Sequence, residues 1–186
     1  MRRRGLLMMI GVAAIAAAAP GCMSRMIREG LGAARGASGR VTVLRPAEDL
    51  TRYKGLRVQP VGVTPGLELP EEMPGLIVAA LEEVASDRDV PGDAAPAMQL
   101  TAEVIHYDAG SSVDKAIGPL SELLLRAQLL DGETRAVLSE ANLASRSKAT
   151  TSSGEEDMAE GVGKALDKWL EEVGFGKSKE EKSEED

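Results

Sequence analysis

Residues 121–134, SELLLRAQLLDGET, combine an alternating apolar pattern with a turn signal. The apolar side chains that share one side of this stretch are Leu123, Leu125, Ala127 and Leu129. Alternation at every second residue is typical of a strand with one buried face. Asp131–Gly132 is a strong hairpin signal. The stretch therefore predicts a strand over Ser121–Leu130, a turn over Asp131–Thr134 and a returning strand from Arg135 to about Ala149.

Two further strands are predicted before this hairpin. Met98–Tyr107 alternates in the same way, with Leu100, Ala102 and Val104 on one side and Thr101, Glu103, Ile105 and Tyr107 on the other. Gly55–Val63 also alternates, and its Pro60 indicates a strand that lies near an edge or ends early. Val41–Leu44 is only a short extended piece, because Pro46 follows it closely.

Two helices are predicted from apolar residues spaced three and four apart. The first buries one side made of Met73, Leu76, Ile77, Ala80, Leu81 and Val84. The second has an apolar stripe made of Met158, Val162, Leu166, Trp169 and Val173. Ser152 or Ser153 is expected to cap its start, and Gly174 to end it.

The predicted order is strand, helix, three strands and helix. This order favours an α+β fold, a two-layer sandwich in which two helices cover one face of a mixed sheet of about four strands. The folded domain is expected over residues 41–176. Residues 177–186 form a charged tail that is too polar to fold alone and is expected to be disordered.

Two helices on one side would leave the opposite side of the sheet uncovered, and we call this side the open face. Its predicted contact residues are Ile105, Tyr107, Leu124, Arg126 and Leu130, which stand among Thr101, Glu103 and Gln128. So many apolar residues on an exposed surface are typical of a binding surface. We expect a protein partner or a second copy of the chain there; the alternative is a solvated face with isolated apolar residues.

The amino-terminal residues predict export. Arg2, Arg3 and Arg4 are followed by Leu6–Ala19, a run of fourteen apolar or small residues. A bilayer-spanning helix needs about 20 such residues, so this run is short for a permanent span. A positive start, a short apolar run and small residues are typical of a secretory signal.

The only cysteine, Cys22, follows Ala19-Pro20-Gly21, and this sequence resembles the lipobox of bacterial lipoproteins. The resemblance implies that residues 1–21 are removed, that Cys22 carries acyl chains, and that residues 22–40 form a flexible lipidated tether. The membrane is then a partner through the lipid, and an outer-membrane anchor facing the periplasm is expected. An unprocessed membrane anchor and a buried thiol are the alternatives.

The body of the chain resembles an uncharacterised family of bacterial lipoproteins, the domain of unknown function 4410. The resemblance covers about residues 41–175 and rests on four motifs in order: residues 50–58, residues 100–110, residues 129–134 and the closing helix. The family has no established catalytic residues, so the resemblance implies none here.

The composition excludes several classes of function. The net charge of −8 argues against a nucleic-acid partner, which needs a basic surface. One His and one Cys exclude most zinc sites and most His-dependent nucleophilic sites. His106 and Asp108 point the same way on a strand, but no third ligand is evident, so neither a metal nor a cofactor is expected.

We therefore expect a chain that is not an enzyme. The favoured function is a membrane-anchored envelope lipoprotein that acts as a binding or assembly module. The alternative is an auxiliary lipoprotein subunit of an envelope ABC-type transporter for lipid or solute.

Overall fold

The computed structural model describes residues 37–47, 49–110, 121–147 and 154–176. These residues form six strands and two helices. In chain order the elements are β1 (Ala37–Arg45), β2 (Gly55–Val58), β3 (Gly62–Val63), α1 (Met73–Asp87), β4 (Ala97–Asp108), β5 (Glu122–Asp131), β6 (Val137–Ser147) and α2 (Glu155–Glu172). Cys22 and the tail at 177–186 lie outside the described residues.

The strands form one mixed sheet with the order β1-β6-β5-β4-β2. Strand β3 also pairs with β4, at Glu103 and Val104, further along β4 than the residues that pair with β2. Strands β2 and β3 run parallel to β4, whereas the other neighbours are antiparallel. The predicted α+β sandwich is confirmed, but the sheet has six strands where about four were expected. The predicted strand Gly55–Val63 is divided around Pro60, which has no N–H for the ladder.

Strand β1 begins four residues before the expected start of the domain. Ala37 is fully buried, and it pairs with Ser147 of β6. Gly39 lies directly against α2, since a Cβ atom placed there would be 2.4 Å from the Ala165 backbone nitrogen. Residues 37–40 therefore belong to the sheet, and the expectation that the tether extends to residue 40 is wrong.

Both helices cover the same face of the sheet, and the core between them is almost wholly aliphatic. The α2 stripe is confirmed, because Met158, Val162, Leu166 and Trp169 are each at most 1% exposed. Met73, Ile77 and Leu81 of α1 are fully buried in the same core. Burying each such side chain contributes about 1.5–3 kcal/mol. No helix in the described part of the chain is long and apolar enough to cross a bilayer.

Helix α2 starts and ends on glycines. Its N-cap is Gly154 and not Ser152 or Ser153, which lie outside the described residues. After the C-cap, Gly174 has a positive φ of 68°, and the Phe175 N–H donates to the Leu170 carbonyl at 2.8 Å. This hydrogen bond defines a Schellman motif, so the predicted end at Gly174 is confirmed.

The two outer strands of the sheet are partly closed by side chains and loops. On β1, the Gly39 carbonyl accepts a hydrogen bond from Lys168 Nζ at 2.9 Å, and Lys164 Nζ reaches the Ala37 carbonyl at 3.5 Å. On β2, the Leu56 N–H donates to the Val90 carbonyl at 3.2 Å. Engaged edges resist pairing with another chain. These contacts make the edges poorer candidates than the open face for binding a partner.

Candidate functional site

The register of β5 places alternate residues on the open face. Leu123 and Leu125 are fully buried against the helices, so Leu124 and Arg126 lie on the opposite side. The Leu124 side chain is half-buried, and the Arg126 side chain is 51% exposed. The structure thus puts these two predicted residues where the sequence pattern places them.

A β-bulge in β4 removes Tyr107 from the open face. Val104 pairs with Leu125, but His106 already pairs with Leu124, so Ile105 is an extra residue without a direct partner. A bulge of this kind reverses the alternation that follows it. Tyr107 consequently lies opposite the buried Leu123 and packs against the core. The prediction of Tyr107 as an open-face residue is wrong, and His106 occupies that face instead.

Leu130 lies on the open face but is only 7% exposed. It pairs with Gln99, whose side-chain nitrogen donates to the Gly132 carbonyl at 3.3 Å. The Arg135 guanidinium contacts the Gln99 side-chain oxygen from the other side. The prediction that Leu130 is available to a partner is therefore wrong.

The rest of the open face is a network of cross-strand polar pairs. Arg146 donates to Glu122 Oε1 from Nε at 3.0 Å and from Nη2 at 2.8 Å. Arg126 Nε lies 3.5 Å from Glu140 Oε1. Exposed pairs of this kind contribute only about 0.2–1 kcal/mol each, so they shape the surface more than they stabilise it. The expected half-apolar face is in fact mainly polar, and Leu124 lies near one end of β5 on it.

One polar row crosses four strands of this face. Thr42 of β1 faces Asn142 of β6, which faces Arg126 of β5, which faces Glu103 of β4. Asn142 Oδ1 is buried and has no hydrogen-bond partner in the described residues. A row of donors and acceptors on a flat surface suits recognition of a polar partner surface rather than a deep ligand site.

The two possible metal ligands that the sequence offers, His106 and Asp108, lie near the end of β4. His106 and Asp108 lie on the same side of β4, as the sequence predicts, but the bulge turns that side to the open face, where they lie opposite Leu124 and Glu122. The described residues contain no group of three or more His, Cys, Asp and Glu side chains that could hold a metal ion. Both side chains are exposed.

A second polar cluster joins the hairpin turn to the loop before β2, and the sequence analysis missed it. Asp131 is 8% exposed and accepts hydrogen bonds from Tyr53 Oη at 2.5 Å and Arg52 Nη2 at 2.9 Å. Its other oxygen accepts from the backbone N–H groups of Glu133 and Thr134 at 2.9 and 2.8 Å. The turn sequence Asp131-Gly132-Glu133-Thr134 was the available signal, because Asp commonly bonds the backbone of its own turn.

These hydrogen bonds set the protonation of the cluster. Donation from the Thr134 backbone, the Tyr53 hydroxyl and the Glu133 backbone holds the pKa of Asp131 well below its ordinary value. Burial, together with the hydrogen bond to Asp131, raises the pKa of Tyr53. Asp131 is therefore a carboxylate and Tyr53 a neutral donor at neutral pH. Their hydrogen bond connects the hairpin turn to the loop before β2.

Asp131→Asn is expected to lower stability at pH 7 and to weaken its dependence on acid. Since the folded-state pKa is depressed, the stabilisation is present above about pH 4, the ordinary value, and is lost as pH falls below it. Urea denaturation of both proteins at pH 7 and pH 3 measures the difference, which should shrink at pH 3. Exposed Asp93→Asn is the control. An equal difference at both pH values would contradict this explanation.

No family model and no curated protein matches the chain, so the resemblance to domain of unknown function 4410 is not confirmed. The solved structures that are similar to this chain include the following two. The PelC dodecamer from Paraburkholderia phytofirmans is 18% identical, with 76% of this chain and 99% of that chain covered and a TM-score of 0.47. Protein XCC0632 from Xanthomonas campestris, of family DUF330, is 12% identical, with 75% and 95% covered and a TM-score of 0.44. Similarity at this level carries no argument about function.

Proposed function

We propose that this chain is an exported lipoprotein, anchored through Cys22, whose α+β domain acts by contact through the open face of its sheet. It is proposed to be a non-catalytic binding or assembly module in the cell envelope, at the outer membrane and facing the periplasm. The single observation that carries the contact role is a six-stranded sheet covered by helices on one face only.

The spacing between the proposed anchor and the fold supports this arrangement. Fourteen residues, 23–36, separate Cys22 from the first strand residue, Ala37. Two or three acyl chains on one cysteine hold a protein stably, because each buried methylene contributes about 0.8 kcal/mol. The lipid would thus fix the chain to the membrane, and residues 23–36 would join the lipid to the domain.

The two layers of the domain differ in charge. From Glu71 to Asp89, which includes α1, the chain has six acidic residues and one basic residue, Arg88. Helix α2 has seven acidic residues and two lysines. On the open face, by contrast, Arg40, Arg126 and Arg146 stand among Glu103, Glu122 and Glu140. Anionic headgroups would therefore repel the helical layer more than the sheet layer.

The contact role is tested by photo-crosslinking in living cells. A photoreactive amino acid in place of Leu124 or Arg126 is expected to yield a discrete crosslinked product. The same amino acid in place of Ala79, an exposed residue on α1, is the matched control and should yield none. Products from Ala79 alone, or from none of the three positions, would contradict the proposal. Crosslinks to transporter subunits would favour the alternative role as a transporter's auxiliary subunit.

A further inference from the structure

A cleft of about 400 Å³ lies between α1 and α2, on the layer opposite the open face. Its floor is made of small or apolar residues, Ala80, Val84 and Gly163. Its walls carry five acidic residues and two basic ones: Glu83, Asp87, Glu160, Asp167, Glu171, Arg88 and Lys164. The cleft is therefore an acidic groove with an apolar base.

The two basic residues of the cleft are already engaged. Arg88 is 3% exposed; its Nε donates to Asp167 Oδ1 and its Nη2 to the Asp167 carbonyl, both at 2.7 Å. Lys164 Nζ lies 2.6 Å from Glu160 Oε1. Glu83 and Glu171 have no ion pair within the described residues and are exposed. The cleft thus presents unneutralised carboxylates to whatever enters it.

We propose that residues 23–36 of the same chain dock into this cleft. This segment carries Arg25, Arg28 and Arg35 and one acidic residue, Glu29, so its charge is opposite to that of the cleft. Its apolar residues, Met26, Ile27 and Leu31, suit the floor. Arginine pairs with carboxylates through a planar fork, which gives such a contact geometric preference.

The point at which the segment meets the domain makes this docking geometrically feasible. Ala37 packs against α2, because a Cβ atom on Gly161 would lie 2.8 Å from Ala37 Cβ. Only the width of α2, about 10–12 Å, separates this point from the cleft. Fourteen extended residues span up to about 45 Å, so the segment can cross α2 and follow the cleft.

The carboxyl-terminal tail is the rival occupant, since Gly176 packs beside Arg88 at the cleft. Residues 177–186 contain three lysines but five acidic residues. Their net negative charge is repelled by the acidic walls, whereas residues 23–36 are net positive. Docking of residues 23–36 requires no acyl chain on Cys22, so it stands or falls independently of the proposed function.

The test uses the mature chain from residue 22 with Cys22→Ser, which leaves no other cysteine. A nitroxide label on Gly30→Cys keeps all three arginines, and amide NMR signals report which residues lie near it. Signals of Ala80, Val84 and Gly163 are expected to lose most of their intensity, while those of Arg126 and Asn142 keep theirs. A label on Ser183→Cys in the tail is the control and should broaden the cleft signals clearly less than the Gly30→Cys label does.

The charge dependence supplies the second half of the test. Glu83→Lys combined with Glu171→Lys is expected to restore the cleft signals in the Gly30→Cys protein, and the unchanged remaining spectrum shows that the domain is folded. Weak broadening that is uniform over the whole molecule would overturn the proposal. Broadening centred on the open face would overturn it too. So would cleft broadening that persists after the charge reversal, or that comes equally from the tail label.

Discussion

Gly39→Ala is expected to destabilise the domain by about 3 kcal/mol or more, because no room exists for the added methyl group. The new Cβ atom would lie 2.4 Å from both the Ala165 nitrogen and the Gly161 carbonyl oxygen. Both atoms belong to the backbone of α2, so no side-chain rotation relieves the clash. The helix must move off β1 and open the core beneath Leu166 and Trp169.

Gly75→Ala is the matched control for this substitution. Gly75 lies in α1, and a Cβ atom there would have no neighbour within 4 Å. Since Ala is favoured over Gly in a helix by up to about 1 kcal/mol, this variant should be slightly more stable than the wild type. Urea denaturation of the three proteins gives the comparison. Equal stability of the Gly39→Ala and wild-type proteins would show that α2 does not press on β1 as described.

Cys22→Ser is expected to abolish lipid labelling entirely and to block removal of residues 1–21. Serine has no sulfur to acylate, and the proposed cut before residue 22 depends on the acylated cysteine. The variant should therefore keep the mass of the precursor and take up no lipid label, even if the apolar run Leu6–Ala19 still holds it at the membrane. Ser24→Ala, two residues away, is the control and should be labelled and processed like the wild type. Equal lipid labelling and equal processing of both variants would contradict lipidation at Cys22.

Regular periodicity accounts for what the sequence predicts well. Helix α2 and strand β5 each have a continuous apolar stripe, and both were placed correctly because burial follows the period of the element. Strand β1 was underestimated because its inward positions include Ala37 and Gly39, whose small side chains give no apolar signal. Those residues are small because α2 packs closely on them, which is a tertiary constraint.

The open face was predicted less well, and the error at Tyr107 comes from one extra residue in β4. Strict alternation through β4 would turn His106 toward the core and Tyr107 toward water. The bulge at Ile105 avoids this, since burying a polar imidazole costs more than burying a tyrosine ring. An imidazole in a core position was thus a readable signal of an irregular strand. The contacts of Asp131 with Arg52 and Tyr53 join residues far apart in sequence, and no local pattern announces them.

The mass of the native amino-terminal peptide tests the lipoprotein assignment most directly. If the account is correct, mass spectrometry of protein purified from its own membrane will find a chain that starts at Cys22. That residue will carry the added mass of two or three acyl chains. A bare residue 22, or a chain in which Gly21 is still joined to it, would contradict the account.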